Sequence, residues 1–237
     1  EANVTVQYND EKKARNYIKD AIRINEGEIT SIYIEDIPAG IDRDYEKAMV
    51  DFTIYIPEGI TLDVKNSFGD IDIENGGKTT VRNSHGDIRL ASCSKDAAVN
   101  NSFGRIEMDN MGGNIEASSS NGDIRISDIA GNIDVETSFG NIRLKNIKGN
   151  VEAESRNGNV EIAEVEGNII AETAFGNVEI DEESAENARI YAETSFGSII
   201  GFKNLEDSGQ KKTLETVFGN GSKEIRLKTR NGNIELK

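Results

Sequence analysis

The sequence predicts an all-β fold: a single-stranded parallel β-helix, a solenoid with coils of about 18 residues, preferentially right-handed, with irregular caps at both ends. Three observations predict it. Glycines fall at Gly69, Gly86, Gly104, Gly122, Gly140, Gly158 and Gly176, spaced by 17 residues and then by 18 five times. After nearly every one the chain reads Asn or Asp, then apolar, polar, apolar, which is a turn followed by the period-two alternation of a strand. No convincing amphipathic helix lies between Asn66 and Lys237.

Residues 1–65 are the least regular and read as N-terminal strands and a cap continuous with the solenoid. Asn3-Val4-Thr5-Val6 echoes a solenoid strand, which would put the first residues in a first coil. Glu11 to Ala21 fits a short helix, with Ala14, Tyr17, Ile18 and Ala21 on one face. Val50 to Ile56 alternates as a strand, Pro57-Glu58-Gly59 turns, and Ile60 to Val64 alternates again.

Residues 66–202 carry the regular repeats. Asn66-Ser67-Phe68-Gly69-Asp70-Ile71 returns as Thr137-Ser138-Phe139-Gly140-Asn141-Ile142. A weaker copy lies nine residues on, as in Gly131-Asn132-Ile133 and Gly149-Asn150-Val151. Gly and Asn best tolerate a left-handed backbone, so each pair marks a corner. The expected inward residues include Ile88, Leu90, Ile106, Met108, Ile124, Ile126, Ile142 and Leu144. Ile115, Ile133, Val135, Val151, Ile169 and the small Ala117, Ala153 and Ala171 should lie on the facing strand. Cys93 aligns with Met111, Ile129, Ile147 and Val165 and is expected to be a buried small hydrophobe. Rows about 4.8 Å apart would make about nine coils a rod of about 45 Å. The residue before the glycine alternates between Phe and His or Asn, a period near 36. Either unlike rows stack in 18-residue coils or the coil has 36 residues and four short sides; the 18-residue coil is preferred.

Residues 203–237 read as C-terminal irregular coils and a cap. Looser glycines follow at Gly197, Gly219 and Gly232. Lys203 to Gln210 is expected to be a surface loop, followed by strands at Leu214–Val217, Ile225–Lys228 and Ile234–Leu236. Irregular ends suit a solenoid, because an open terminal row presents unpaired strand edges that aggregate.

Composition excludes several functions. The chain has 237 residues, 43 acidic against 27 basic side chains, and a formal charge of −16, so binding to nucleic acid by charge is not expected. One cysteine cannot build a disulfide scaffold, and His85 with Cys93 cannot supply a Cys/His zinc site or a histidine relay. No stretch approaches the roughly 20 apolar residues of a membrane span. The chain begins with Glu1 rather than Met, which suggests a processed or trimmed N-terminus with any export signal already absent.

The run Asp51 to Ile73, with its repeated Ser-x-Gly-Asp-Ile phrase at Ser67–Ile71, Ser84–Ile88 and Ser120–Ile124, resembles a bacterial adhesin family of β-helical domains of unknown function. The resemblance covers most of Asp51–Lys237. It implies an exported protein of the bacterial cell envelope or cell surface, periplasmic or extracellular, with an adhesive or scaffolding role. It brings no catalytic residues. This chain departs from the phrase at Asn141, Asn159 and Asn177, which weakens any role that needs Asp.

No catalytic or cofactor-binding residues are expected. Glu116, Asp134 and Glu152 lie 18 residues apart, as do Glu136, Glu154 and Glu172. Stacked in successive coils, such columns place like charges side by side, which is destabilising. Weak binding of a divalent cation such as calcium would relieve this; a solvated acidic face that keeps the rod soluble is the simpler reading. The post-glycine column of Asp and Asn lacks the paired pattern of calcium-binding β-rolls and is expected to be turn chemistry. Asp72, Arg89, Glu107 and Arg125 alternate in sign, as cross-coil ion pairs would. The Phe series forms either an exposed stripe for a glycan or partner or the filling of a core corner, and the core corner is expected. His85 takes a structural or solvent-facing place in the same column.

The leading functional expectation is a non-enzymatic envelope or surface protein, an adhesin or interaction scaffold for an unknown protein or glycan. A carbohydrate-binding or carbohydrate-active β-helix is the competing class. Against it, the 18-residue coils carry no long insertion before Asp181 to wall a cleft, and Trp is absent. The loops 181–188 and 203–212 hold no aromatic cluster. An end-to-end polymerising scaffold is the third.

Overall fold

Period-two alternation needs a partner strand on each side, and the repeat supplies one per coil. A computed structural model describes residues 2–7, 22–25, 31–34, 49–201 and 213–237. The short helix expected over 11–21 and the loop expected over 203–210 lie outside the described residues. The chain forms two units, Glu1–Pro57 and Glu58–Lys237.

In the first unit Ala2–Gln7 pairs antiparallel with Met49–Ile54, and Ile22–Asn25 pairs antiparallel with Ser31–Ile34. Asn3 to Val6 is therefore not a row of the parallel solenoid. Alternation alone does not distinguish a parallel from an antiparallel partner.

The second unit is a parallel β-solenoid with two strands per coil. The strand Ile115–Asn121 is followed by Ile124–Ile129, and the next coil repeats this as Ile133–Phe139 and Ile142–Ile147. The longer strands form a ten-stranded sheet and the shorter ones a nine-stranded sheet. Register follows the 18-residue period: Ile106, Ile124, Ile142, Val160 and Val178 are successive partners. The nine-residue sub-repeat is the reason, since each coil needs two corners.

Apart from the Phe series, the inward residues expected from the sequence are buried, from Ile73 at 9% exposure to Ile142 at 0%, and Cys93 is buried with its column. Fully burying side chains of this size contributes about 1.5–3 kcal/mol each. The fifth position of the long strands is also inward, yet polar. Thr137, Ser155 and Thr173 donate to the carbonyls of Gly122, Gly140 and Gly158 at 3.3, 3.1 and 2.9 Å. These hydroxyls satisfy corner carbonyls that the core would otherwise strand.

Glycine is required at the corners for two reasons. Gly104 has φ +122°, and a Cβ there would lie 2.2 Å from the Gly86 carbonyl oxygen. Gly149 has no left-handed backbone, but a Cβ would lie 2.3 Å from the Gly131 carbonyl oxygen. The residue after the glycine then ties the rows together. Asp123 Oδ1 accepts from the Asn141 N–H, Asn141 Oδ1 from Asn159 N–H, and Asn159 Oδ1 from Asn177 N–H, each at 2.9 Å. A second ladder runs through Asn114, Asn132, Asn150 and Asn168 at the other corner, again at 2.9 Å. The post-glycine column is turn chemistry, and Asp and Asn serve it equally because each offers Oδ1.

The end of the chain is not stacked in sequence order. Lys223–Asn231 inserts between Ile169–Phe175 and Ala188–Phe196, parallel to both. In the other sheet Ile234–Leu236 lies between Val178–Ile180 and Ile199–Ile200. The glycines that follow Gly176 in space are Gly232 and then Gly197, which explains the irregular spacing. Thr213–Val217 pairs antiparallel on the outer edge of Ala188–Phe196. The only helix among the described residues is Glu182–Ala185, capped by Asp181, whose side chain accepts from Ser184 N–H at 2.9 Å. Lys223 pins it: Nζ donates to the carbonyls of Ser184 at 2.8 Å and Val165 at 3.1 Å. Burial pushes the Lys223 amine below its ordinary pKa, and the nearby Asp181 carboxylate opposes that shift.

Candidate functional site

The strand register brings the predicted acidic columns together. Glu116, Asp134 and Glu152 are successive partners, and so are Glu136, Glu154 and Glu172. All six side chains are exposed. The inserted C-terminal strand puts Lys228 between Glu172 and Glu193 in register, so a cation interrupts the second column. Among the described residues no group of three or more His, Cys, Asp or Glu is arranged to hold a metal ion.

The ion pairs expected down the Asp72 column form in part. Arg89 Nη1 lies 3.2 Å from Asp72 and 3.2 Å from Glu74. Arg125 instead turns to Asp123 at 3.3 Å, because its in-register partner on the far side is Arg143. Arg143 pairs with Glu161 at 2.8 Å, and that hydrogen bond raises its guanidinium above the ordinary value. The shallow groove over this sheet is lined by these residues with Glu179 and Lys237, themselves paired at 2.5 Å. Its charges are largely matched to one another.

The Phe series lies outside the core corner expected for it. Phe103, Phe139 and Phe175 are 48%, 55% and 53% exposed, so they do not fill a core corner. By strand parity Phe139 belongs on the inward face. However, Thr137 closes the core end by bonding to Gly122, and the chain turns at Gly140, so the seventh strand position lies beyond the packed interior. The rings form a column along one edge. Phe68, His85 and Phe103 stack face to face, with centroids 4.9 Å apart and planes 12° and 11° from parallel. His85 is thus a solvent-facing member of the stack.

From Phe103 onward the column alternates strictly. Asn121 pairs with Phe103 and Phe139, and Asn157 with Phe139 and Phe175. Phe175 and Phe196 are the next two rings in sequence, yet Asn231 of the inserted strand sits between them. The alternation therefore survives the change of strand order. A period near 36 is the signal in the sequence that marks this edge, and it reports two unlike rows of an 18-residue coil.

A family model described as Toastrack DUF4097 matches residues 1–237. The chain belongs to the Toastrack DUF4097 family. No curated protein and no solved structure matches it with significance. The Toastrack domain has no assigned function, so its role has to be argued from surfaces such as the aromatic edge.

Proposed function

We propose that this Toastrack solenoid is a non-enzymatic interaction scaffold of the bacterial cell envelope or surface that engages an extended partner along one edge. The exposed aromatic column carries this reading. Five large rings at 48–76% exposure, Phe68, Phe103, Phe139, Phe175 and Phe196, share one edge of the solenoid. Aromatic rings supply large contact area with few torsions to freeze, and aligned exposed rings are a common mark of recognition surfaces. The adhesive role and exported location implied by the family resemblance fit such an edge. Polymerisation end to end is the weaker reading, because the antiparallel strand Thr213–Val217 occupies an outer edge where a further parallel row would add.

The test is cosedimentation of the purified chain with isolated bacterial envelope fractions. The chain should pellet with them, and Phe139→Ala with Phe175→Ala should release it. Equal pelleting of wild type and variant would remove the aromatic edge from the reading. Turnover of a polysaccharide, abolished by one carboxylate substitution on the solenoid, would replace it with an enzyme.

A further inference from the structure

Resting on the scaffold reading, we infer that the C-terminal half of the aromatic edge recognises a linear glycan with a disaccharide repeat in which alternate sugars carry a carboxylate. Rings recur every second row, about 9.6 Å apart at the usual strand spacing. That distance is comparable to the disaccharide repeat of an extended β-linked chain. The rows between them differ in kind as well as shape. Phe139 and Phe175 are preceded by the small Ser138 and Ala174, whereas Asn157 and Asn231 are preceded by Arg156 and Arg230. Each pair of rows thus presents a ring face, then an amide preceded by a guanidinium on the outward strand face.

Charge complementarity selects the ligand. Arg156 and Arg230 are exposed and have no ion-pair partner among the described residues, in a chain of net charge −16. Toward the N-terminus the corner column holds Asp70, Asp87 and Asp123 with Arg105 among them, while beside these arginines it holds Asn141, Asn159 and Asn177. The Oδ1 ladder breaks at Arg105 but runs on either side of it, through Asp70 and Asp87 and again from Asp123 to Asn177, so the change from Asp to Asn leaves the turns intact and removes negative charge from this edge. Glu154, two residues before Arg156, marks where the acidic strand face begins. A guanidinium binds a carboxylate with matched, directional donors, and an Asn amide suits hydroxyls or acyl-amino groups of the same sugar.

The inference is tested by titrating the full chain with two soluble probes of equal length. One is an oligosaccharide alternating glucuronate and N-acetylglucosamine, the other a neutral N-acetylglucosamine oligomer. The alternating probe should bind more tightly, with an affinity that falls as salt rises. Phe139→Ala with Phe175→Ala should weaken it roughly tenfold or more. Arg156→Gln with Arg230→Gln should reduce it to the neutral level, and Arg156→Lys should restore it only in part. These side chains are exposed, and unchanged melting of each variant confirms folding. Equal binding of both probes, or arginine variants that bind like wild type, would overturn the carboxylate inference and leave a neutral-glycan scaffold. If neither probe binds while the Phe variants still release the chain from envelope fractions, the ligand class is wrong and the scaffold reading stands. If the Phe variants change nothing in either assay, both fall.

Discussion

Asn177 and Asn233 are hydrogen-bonded neighbours although 56 residues separate them: the Asn233 N–H donates to Asn177 Oδ1 at 2.8 Å. This bond carries the corner ladder from the last row stacked in sequence order into the row threaded in from the chain end. Only the acceptor oxygen matters to it. Asn177→Asp should therefore be nearly neutral, and Asn177→Ala should cost about 0.5–1.5 kcal/mol. Urea unfolding of the two variants checks this, and equal losses would count against the ladder as the reason for the column.

Position in the strand separates two apolar residues three apart. Ile142 is 0% exposed and Phe139 is 55% exposed. Ile142→Ala should cost about 2–5 kcal/mol through cavity formation. Phe139→Ala should stay within about 1 kcal/mol, despite removing a larger side chain. Chemical denaturation of both variants measures the contrast; a large loss at Phe139 would return the ring to the core.

Glu164 occupies the left-handed region at φ 57°, in a column otherwise made of Asn75, Ser92, Asn110, Asp128 and Asn146. A side chain with a Cβ is strained there, and Asn tolerates it best. Glu164→Asn should stabilise the solenoid by about 0.5–1 kcal/mol. The ion pair lost with Lys145 is exposed and contributes little. A raised melting temperature is the expected result, and a lowered one would show that the ion pair outweighs the backbone.

Gly149 tests the other reason for glycine. Its backbone suits any residue, but a Cβ would stand 2.3 Å from the Gly131 carbonyl oxygen. Gly149→Ala should cost about 1–3 kcal/mol by forcing two rows apart. Thermal unfolding reads this directly. A neutral effect would mean that the corners can separate without loss.

Much of the solenoid was legible because its signals are local and repeated. The glycine period set the coil, the alternation after it set the inward face, and the columns at Glu116 and Glu136 followed from that spacing. The Phe edge was less legible. Parity placed Phe139 inward, and nothing local to Phe139 says that Thr137 already closes the core by bonding to Gly122 in the preceding row. The buried hydroxyl column was missed for a related reason: Ser and Thr at an inward strand position read as polar until their carbonyl partners are known.

Coil length, the two corners per coil and the buried columns follow from the order of residues alone, because a residue and its equivalent 18 positions on must meet when rows stack in register. Tertiary structure alone decided three things. Asn3 to Val6 pairs antiparallel outside the solenoid, because alternation is silent on partner direction. Lys223–Asn231 enters between rows that precede it, because every row offers the same backbone bonds and only side-chain fit chooses its neighbours. That insertion places Asn231 and Arg230 between Phe175 and Phe196, so the alternating edge continues through the last coils in an order that reading along the chain does not reveal.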